Sequence, residues 1–413
     1  MMFSKKQLLF ASTILALIYH FVFYMNTYGP VKGLLNNMIY LIAYASILII
    51  FFIYISTKWR VDFKDKISLK IHDLLIIWIL VCFVRSMLQI GNGEEMRLYL
   101  LSNYMAISLF PVLFLLVGVN AKYFYSINRT LIIYMIIAGV LSMFFLNYFE
   151  LQIFLLMPVF YVILTMPLRS VTGKLFIILI TISIIAVSLS NRAGILRILI
   201  SYSIVAAYYL MLYARMNKKL LIMIIFLILM LPPVALYLGT KGQSVFQMTL
   251  GDNETAYSQM DPYADTRTFL YYEVFQDMKS NNAFVFGKGL NAGYYSESFR
   301  TYSRPIVEVC FLQLLLKTGI VGVLLYLTVI LIALFKALKR AQNLFIKSLG
   351  ILLASYIIMM FIENQVAYNL LNVVIWIVVG MCHSEELLNM NNREIKQLFK
   401  IPYDRFKQKA VTG

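Results

Sequence analysis

Six arginines carry the clearest chemical signal in the chain: Arg85, Arg192, Arg197, Arg267, Arg300 and Arg304. Arg192 lies in a tight turn, Ser190-Asn191-Arg192-Ala193-Gly194, between two apolar runs. Arg267, Arg300 and Arg304 lie in one long, mixed-polarity segment, and Arg85 and Arg197 fall inside apolar runs, each within two turns of an end. A planar guanidinium makes bidentate bonds to phosphate or carboxylate and stays charged beside lipid, so the set suits an anionic ligand. Taken singly, Arg85 and Arg197 read more readily as interfacial anchors or as partners of an acid such as Glu94, Glu95 or Glu363. A turn and a helix start are poor places for anchoring, which favours Arg192 and Arg267 as ligand contacts. The acid that stands out is Glu308, placed in the first turn of a helix expected to start at Pro305. There it is either a dipole-favoured residue or a general base held near arginines and shielded by Val307, Val309 and Phe311. Lys317, two turns on, reads as an anchor ahead of a second anion contact.

Composition sets the solvent for these groups. Of 413 residues, 61% are hydrophobic and 13% charged, with a mean hydropathy of +0.80. Soluble domains run at about 45–50% apolar and about 25% charged, so a water-soluble globule is excluded. Three cysteines in apolar surroundings, Cys82, Cys310 and Cys382, give no disulfide framework, and His20, His72 and His383 are too scattered for a metal cluster. The net charge of +17 points to membrane orientation rather than nucleic acid, because basic residues flanking spans are retained inside.

Apolar runs of membrane length, roughly 17–25 residues, occur at about 8–26, 35–56, 72–90, 101–120, 130–147, 151–167, 175–190, 195–214, 220–239, 316–335, 348–362 and 370–383, twelve in all. The first is long and lacks a small-residue cleavage site, so it reads as an uncleaved helix. With the N terminus inside, 24 of the 36 basic residues fall in inner loops and the tail at 384–413, and nine fall outside, six of them between 240 and 306. Both termini are therefore expected inside.

The 67-residue segment 240–306, with thirteen aromatics, six basic and seven acidic residues, is expected to fold as a large, partly helical external loop. Asp265 and Thr266 can cap a helix from Arg267 to about Lys279, with Tyr271, Phe275 and Met278 on one face. A turn follows at Gly287, Gly289 and Gly293. The run 306–335 would be about 45 Å long as continuous helix, against a hydrocarbon core of about 30 Å. Thr318 and Gly319 mark the expected break.

Three strings resemble the signature region of the O-antigen ligase and polymerase superfamily (Wzy and WaaL types). These are Asp265-Thr266-Arg267 with Tyr271 and Tyr272; Phe286-Gly287-Lys288-Gly289-Leu290 with Gly293-Tyr294; and Glu308-Val309-Cys310-Phe311-Leu312-Gln313 with Gly319-Ile320-Val321-Gly322. Ser190-Asn191-Arg192 is similar to the family's earlier outer-turn arginine, and the motifs cover about a third of the chain, 188–326. The resemblance implies an all-α, GT-C-like membrane protein with about twelve transmembrane helices, acting on polyprenyl-diphosphate-linked glycans at the outer face of the bacterial plasma membrane. The family's diphosphate-contacting arginines carry over onto Arg192 and Arg267, with Arg304 as a third. Ligases carry a histidine and asparagine where this chain has Glu308-Val309, which favours a polymerase.

The expectation is thus a polysaccharide polymerase joining undecaprenyl-diphosphate-linked glycan to the next lipid-linked repeat. Arg192 and Arg267 would stabilise the leaving diphosphate and Glu308 would deprotonate the acceptor hydroxyl. Arg304, Arg300, Arg85, Lys288 and Tyr271 complete the expected substrate-binding set, with the outer aromatics as sugar-stacking surfaces. No cofactor or metal is expected, since arginines can neutralise the leaving group. The expected partners are the lipid-linked oligosaccharide and membrane lipid, with a chain-length regulator and a flippase, and no nucleic acid. The alternatives are an O-antigen ligase acting on lipid A or another acceptor, and a lipid-linked oligosaccharide flippase. A flippase places charge along a central pathway and often shows related halves.

Overall fold

The computed structural model describes residues 5–27, 36–56, 66–102, 104–144, 158–187, 192–213, 268–296 and 301–406. It is mostly helical. The apolar runs rich in Ile, Leu and Phe form α1 (Lys5–Thr27), α2 (Asn36–Ile55) and α3 (Lys66–Leu88). There follow α4 (Gly93–Leu101), α5 (Leu115–Val119), α6 (Phe124–Phe144), α7 (Val159–Leu164), α8 (Val171–Val187) and α9 (Arg192–Tyr213). Beyond the segment 214–267 come α10 (Thr268–Ser280), α11 (Cys310–Arg340), α12 (Leu344–Met359) and α13 (Leu370–His383). Among the described residues, four helical stretches are long and apolar enough to cross a membrane: Met38–Ile55, Ser68–Leu88, Leu196–Tyr213 and Cys310–Arg340. A helix keeps its backbone hydrogen bonds within itself, which is what a lipid environment demands.

The run at 101–120 departs from the straight span expected of it. Pro111 has no N–H to give an α-helical ladder, and Phe110–Phe114 forms a tighter 3-10 turn before the short α5. Asn120 then adopts an extended conformation, its side chain accepting from Lys122 N. The pair Phe110–Val119 and Ala121–Ile137 is bent by 88° there. The run at 220–239 lies outside the described residues.

The core is organised around α13, every residue of which is buried. Helix α5 crosses it at Gly118 and Gly380, where a Cβ on either glycine would strike the other helix's backbone; small residues permit such close approach. Trp376 meets Tyr326 edge-on at 5.0 Å, and its Nε1 donates to the Tyr326 hydroxyl at 3.3 Å. The chain continues from Tyr326 to Tyr356 at 3.0 Å and from the Tyr356 hydroxyl to Asn372 Oδ1 at 3.2 Å, so these buried polar groups satisfy one another.

Helix α11 breaks where the sequence indicates, at Gly319, with φ 69° and ψ −176°. The 283–290 turn plugs the break. Ile320 N donates to Phe284 O at 2.8 Å, and Lys288 N donates to Leu316 O at 2.7 Å, so groups freed by the break on both half-helices find partners in one loop. Gly287 (φ 69°) and Gly319 lie back to back. A Cβ on Gly319 would meet Val285 O and Gly287 N.

Two features add to the expectation. Residues Tyr294–Ser296 (β1) and Thr301–Arg304 (β2) pair as an antiparallel hairpin, with Tyr294 opposite Arg304, so the fold is not purely helical. A cross-strand ladder satisfies backbone groups in a segment with no 3.6-residue apolar period to build a helix. The basic tail, in turn, includes α14 (Glu385–Asn389) and α15 (Asn392–Lys400), the latter opened by an Asn391–Glu394 capping box. Helix α15 buries Ile395 and Leu398 and packs against α6 and α12.

Candidate functional site

Glu308 does not sit in a helical turn. Helix α11 starts at Cys310 with Val309 as an extended N-cap, so Glu308 lies before the helix. The reason is local: the Gln313 side chain reaches back, its Oε1 accepting from Val307 N at 2.7 Å. That bond holds the approach to the helix in non-helical form. Arg304 Nη2 donates to Glu308 Oε1 at 2.7 Å and Nη1 to the Tyr294 hydroxyl at 3.4 Å. The hairpin thus delivers Arg304 to Glu308, whose side chain is 44% exposed and open to a ligand. Burial pushes the Tyr294 hydroxyl above its usual range, with Arg304 working the other way. That tyrosine stays neutral and passive.

Helix α10 holds the hairpin from beneath. It covers the expected 267–279 stretch almost residue for residue, and its inner face of Leu270, Tyr271, Val274 and Met278 is buried. Ser296 Oγ donates to Glu273 Oε2 at 2.7 Å, and Lys288 Nζ bridges to Asp277 Oδ2 at 2.7 Å. Lys288 therefore braces loop against helix. Arg85 does the same work from α3, its Nη2 donating to Phe286 O at 2.8 Å and Gly287 O at 3.2 Å. Lys317, fully buried, donates to Leu290 O. Three cations suggested as anion contacts or anchors thus fasten the turn that fills the α11 break.

The segment between α12 and α13 is where the site's elements meet. The Tyr271 hydroxyl donates to Phe361 O at 2.7 Å. Cys310 N donates to Glu363 O at 3.0 Å and Phe311 N to Met360 O at 2.9 Å, with the Phe311 and Phe361 rings stacked at 4.8 Å. From α9, Arg197 Nε donates to Glu363 Oε1 at 2.9 Å and Nη2 bonds the same oxygen. Gln365 Nε2 joins it at 2.8 Å. The starts of α10 and α11 and the N-terminal part of α9 are therefore tied to residues 360–365. Those are the elements that carry or directly follow Arg267, Glu308 and Arg192.

Arg192 is the first residue of α9, five before Arg197, and its side chain is not among those described. Arg267, next to the first residue of α10, and Arg300 lie outside the described residues. Among the described residues the site thus has the part-exposed pair Arg304–Glu308, the brace Lys288–Asp277, and a joint built on Arg197 and Glu363, an acid that the sequence reading names only as able to pair with an arginine. A lone acid between apolar runs is the signal that marks it. No three His, Cys, Asp or Glu residues are grouped to hold a metal ion among the described residues. The arrangement can do proton transfer and anion binding, with Glu308 as acceptor and guanidinium groups as the electrostatic partners. No protein-family model, curated protein or solved structure matches this chain.

Proposed function

We propose that this chain is a bacterial polysaccharide polymerase of the Wzy type, a GT-C-like enzyme with about twelve spans and both termini cytoplasmic. It transfers glycan from undecaprenyl diphosphate to a hydroxyl of the next lipid-linked repeat at the outer face of the plasma membrane. The observation that carries the reading is the joint at 360–365, which ties together the elements that carry Arg192 or directly follow Arg267 and Glu308. Those residues are far apart in sequence; the resemblance singles out Arg192 and Arg267, and Glu308 is the base read from the residues themselves.

The chemistry follows from the groups. Glu308 takes the proton of the acceptor hydroxyl as its oxygen attacks the sugar carbon, and the bond to the diphosphate breaks on the opposite side, inverting that carbon. Arg192 and Arg267 offset the negative charge on the departing diphosphate. Arg304 orients the Glu308 carboxylate from the hairpin. Exposed Tyr272 and Tyr295 offer ring faces to sugars.

The test is a gel profile of surface and lipid-linked glycan from cells lacking the gene, with and without a plasmid copy. Surface glycan cut to a single repeat, with the ladder restored by the plasmid, is the expected result. Full-length polymer stranded on the carrier would make the protein a ligase, and repeats trapped on the inner leaflet would make it a flippase; either rejects the polymerase.

A further inference from the structure

Away from this site, Arg169 sits in the connection between α7 and α8 with a donor left unmatched among the described residues. Its Nε donates to Thr165 Oγ1 at 2.8 Å, and its guanidinium carbon stands 5.1 Å from the centre of the Phe399 ring of α15. Its Nη2, however, is buried and has no hydrogen-bond partner among the described residues. Burial pulls the guanidinium down to about 10, still charged at neutral pH. Gly173 leaves room for the stem, since a Cβ there would crowd Arg169 Cβ and Cδ at 3.3 and 3.5 Å.

The arginine stands on a groove between α6, α7 and α8 whose walls are Ile132, Met135, Val162, Phe176 and Ile177. Beside it, Leu175, Leu179 and Ile182 of α8 are exposed at 55, 64 and 57%, a surface suited to lipid tails. The neighbouring elements carry more basic than acidic residues, with Glu394 the acid on α15. Lys174 follows one turn later, and Arg393, Lys396 and Lys400 lie exposed on α15, which packs on the 3-10 turn before Arg169. Among the described residues no carboxylate pairs with Arg169. An unpartnered guanidinium N–H on a side chain that lines an apolar groove calls for an anionic oxygen attached to an apolar body.

We infer that this groove binds an anionic membrane phospholipid, one acyl chain along the α6–α8 walls and a phosphate oxygen accepting from Arg169 Nη2. The site is separate from the polymerase reading and survives its failure. The test is native mass spectrometry of the detergent-purified full-length protein titrated with phosphatidylglycerol or phosphatidylcholine of identical chains. Wild type should retain phosphatidylglycerol about tenfold better, a gap that Arg169→Gln abolishes and Arg169→Lys restores in part. Equal retention of the two lipids by wild type, a measurement that needs no variant, would overturn the site. So would a phosphatidylglycerol preference unchanged in Arg169→Gln. Displacement of phosphatidylglycerol by an equal concentration of glycerol phosphate would show a free-phosphate site and overturn the lipid assignment.

Discussion

Glu308 and Arg304 meet across a bond of 2.7 Å, a pairing that aims the carboxylate without burying it. If that carboxylate takes the acceptor's proton, Glu308→Gln keeps the shape and loses the function. Polymerisation should fall about 10²–10⁴-fold, the range typical for removing a general base. The measurement is the rate of ladder growth in membranes given lipid-linked repeats, with protein level checked by immunoblot. A rate within a factor of three of wild type would remove Glu308 from the chemistry. Arg192→Ala and Arg267→Ala should each abolish long chains while the protein stays in the membrane, because each deletes charge from the leaving-group side. Near-normal polymer from both would sink the diphosphate assignment. Arg85, Lys288 and Lys317 belong to a different category: their partners are loop carbonyls and Asp277, and losing them should loosen the 283–290 turn.

Elements explain why some of this was legible in sequence and some was not. The break in α11 is written locally: a 30-residue apolar stretch is too long for the bilayer, and Thr318-Gly319 offers the one residue type that adopts φ 69° without strain. Helix α10 is equally local, with its apolar face at helical spacing. The joint at 360–365 is not local. Arg197 and Glu363 are 166 positions apart; Glu363 is one of three acids that the sequence offers as a partner, and nothing in either neighbourhood selects it over Glu94 or Glu95. The hairpin escaped for a related reason, since its strands of three and four residues are too short for alternation to register. Both elements give tests. Glu363→Ala strands Arg197, whose side chain is 18% exposed, and should cost about 3 kcal/mol; the double change Arg197→Leu with Glu363→Leu should recover most of that, as removing a whole buried pair does. Thermal unfolding in detergent decides it, and a double variant as weak as the single one would mean that the pair is not what joins α9 to this segment. At the break, Gly319→Ala should cost about 1–3 kcal/mol of backbone strain, and more from the overlap with Val285 O. Gly91→Ala, with nothing near its Cβ, should stay within about 0.5 kcal/mol of wild type.

At the scale of the whole molecule, helix α11 separates two chemically different ends. The Arg304–Glu308 pair and the 360–365 joint lie at its start, and Lys339, Arg340 and the docked α14–α15 tail lie at its finish. Thirty-one residues reach about 46 Å as straight helix, more than the hydrocarbon thickness of about 30 Å even with a kink. In the proposed reading the two ends lie on opposite sides of a bilayer, with the basic tail end inside, as the positive-inside rule expects. Cysteine labelling reads this directly, because Cys82, Cys310 and Cys382 are all buried and give little background. With a membrane-impermeant thiol reagent applied to whole cells, Gly251→Cys in the long loop should label and Gln342→Cys, exposed just after α11, should label only after the membrane is opened. The reverse pattern would put Glu308 and the arginines on the inner face. A polymerase drawing lipid-linked repeats from the outer leaflet could not then use them, whatever the single-residue variants had shown.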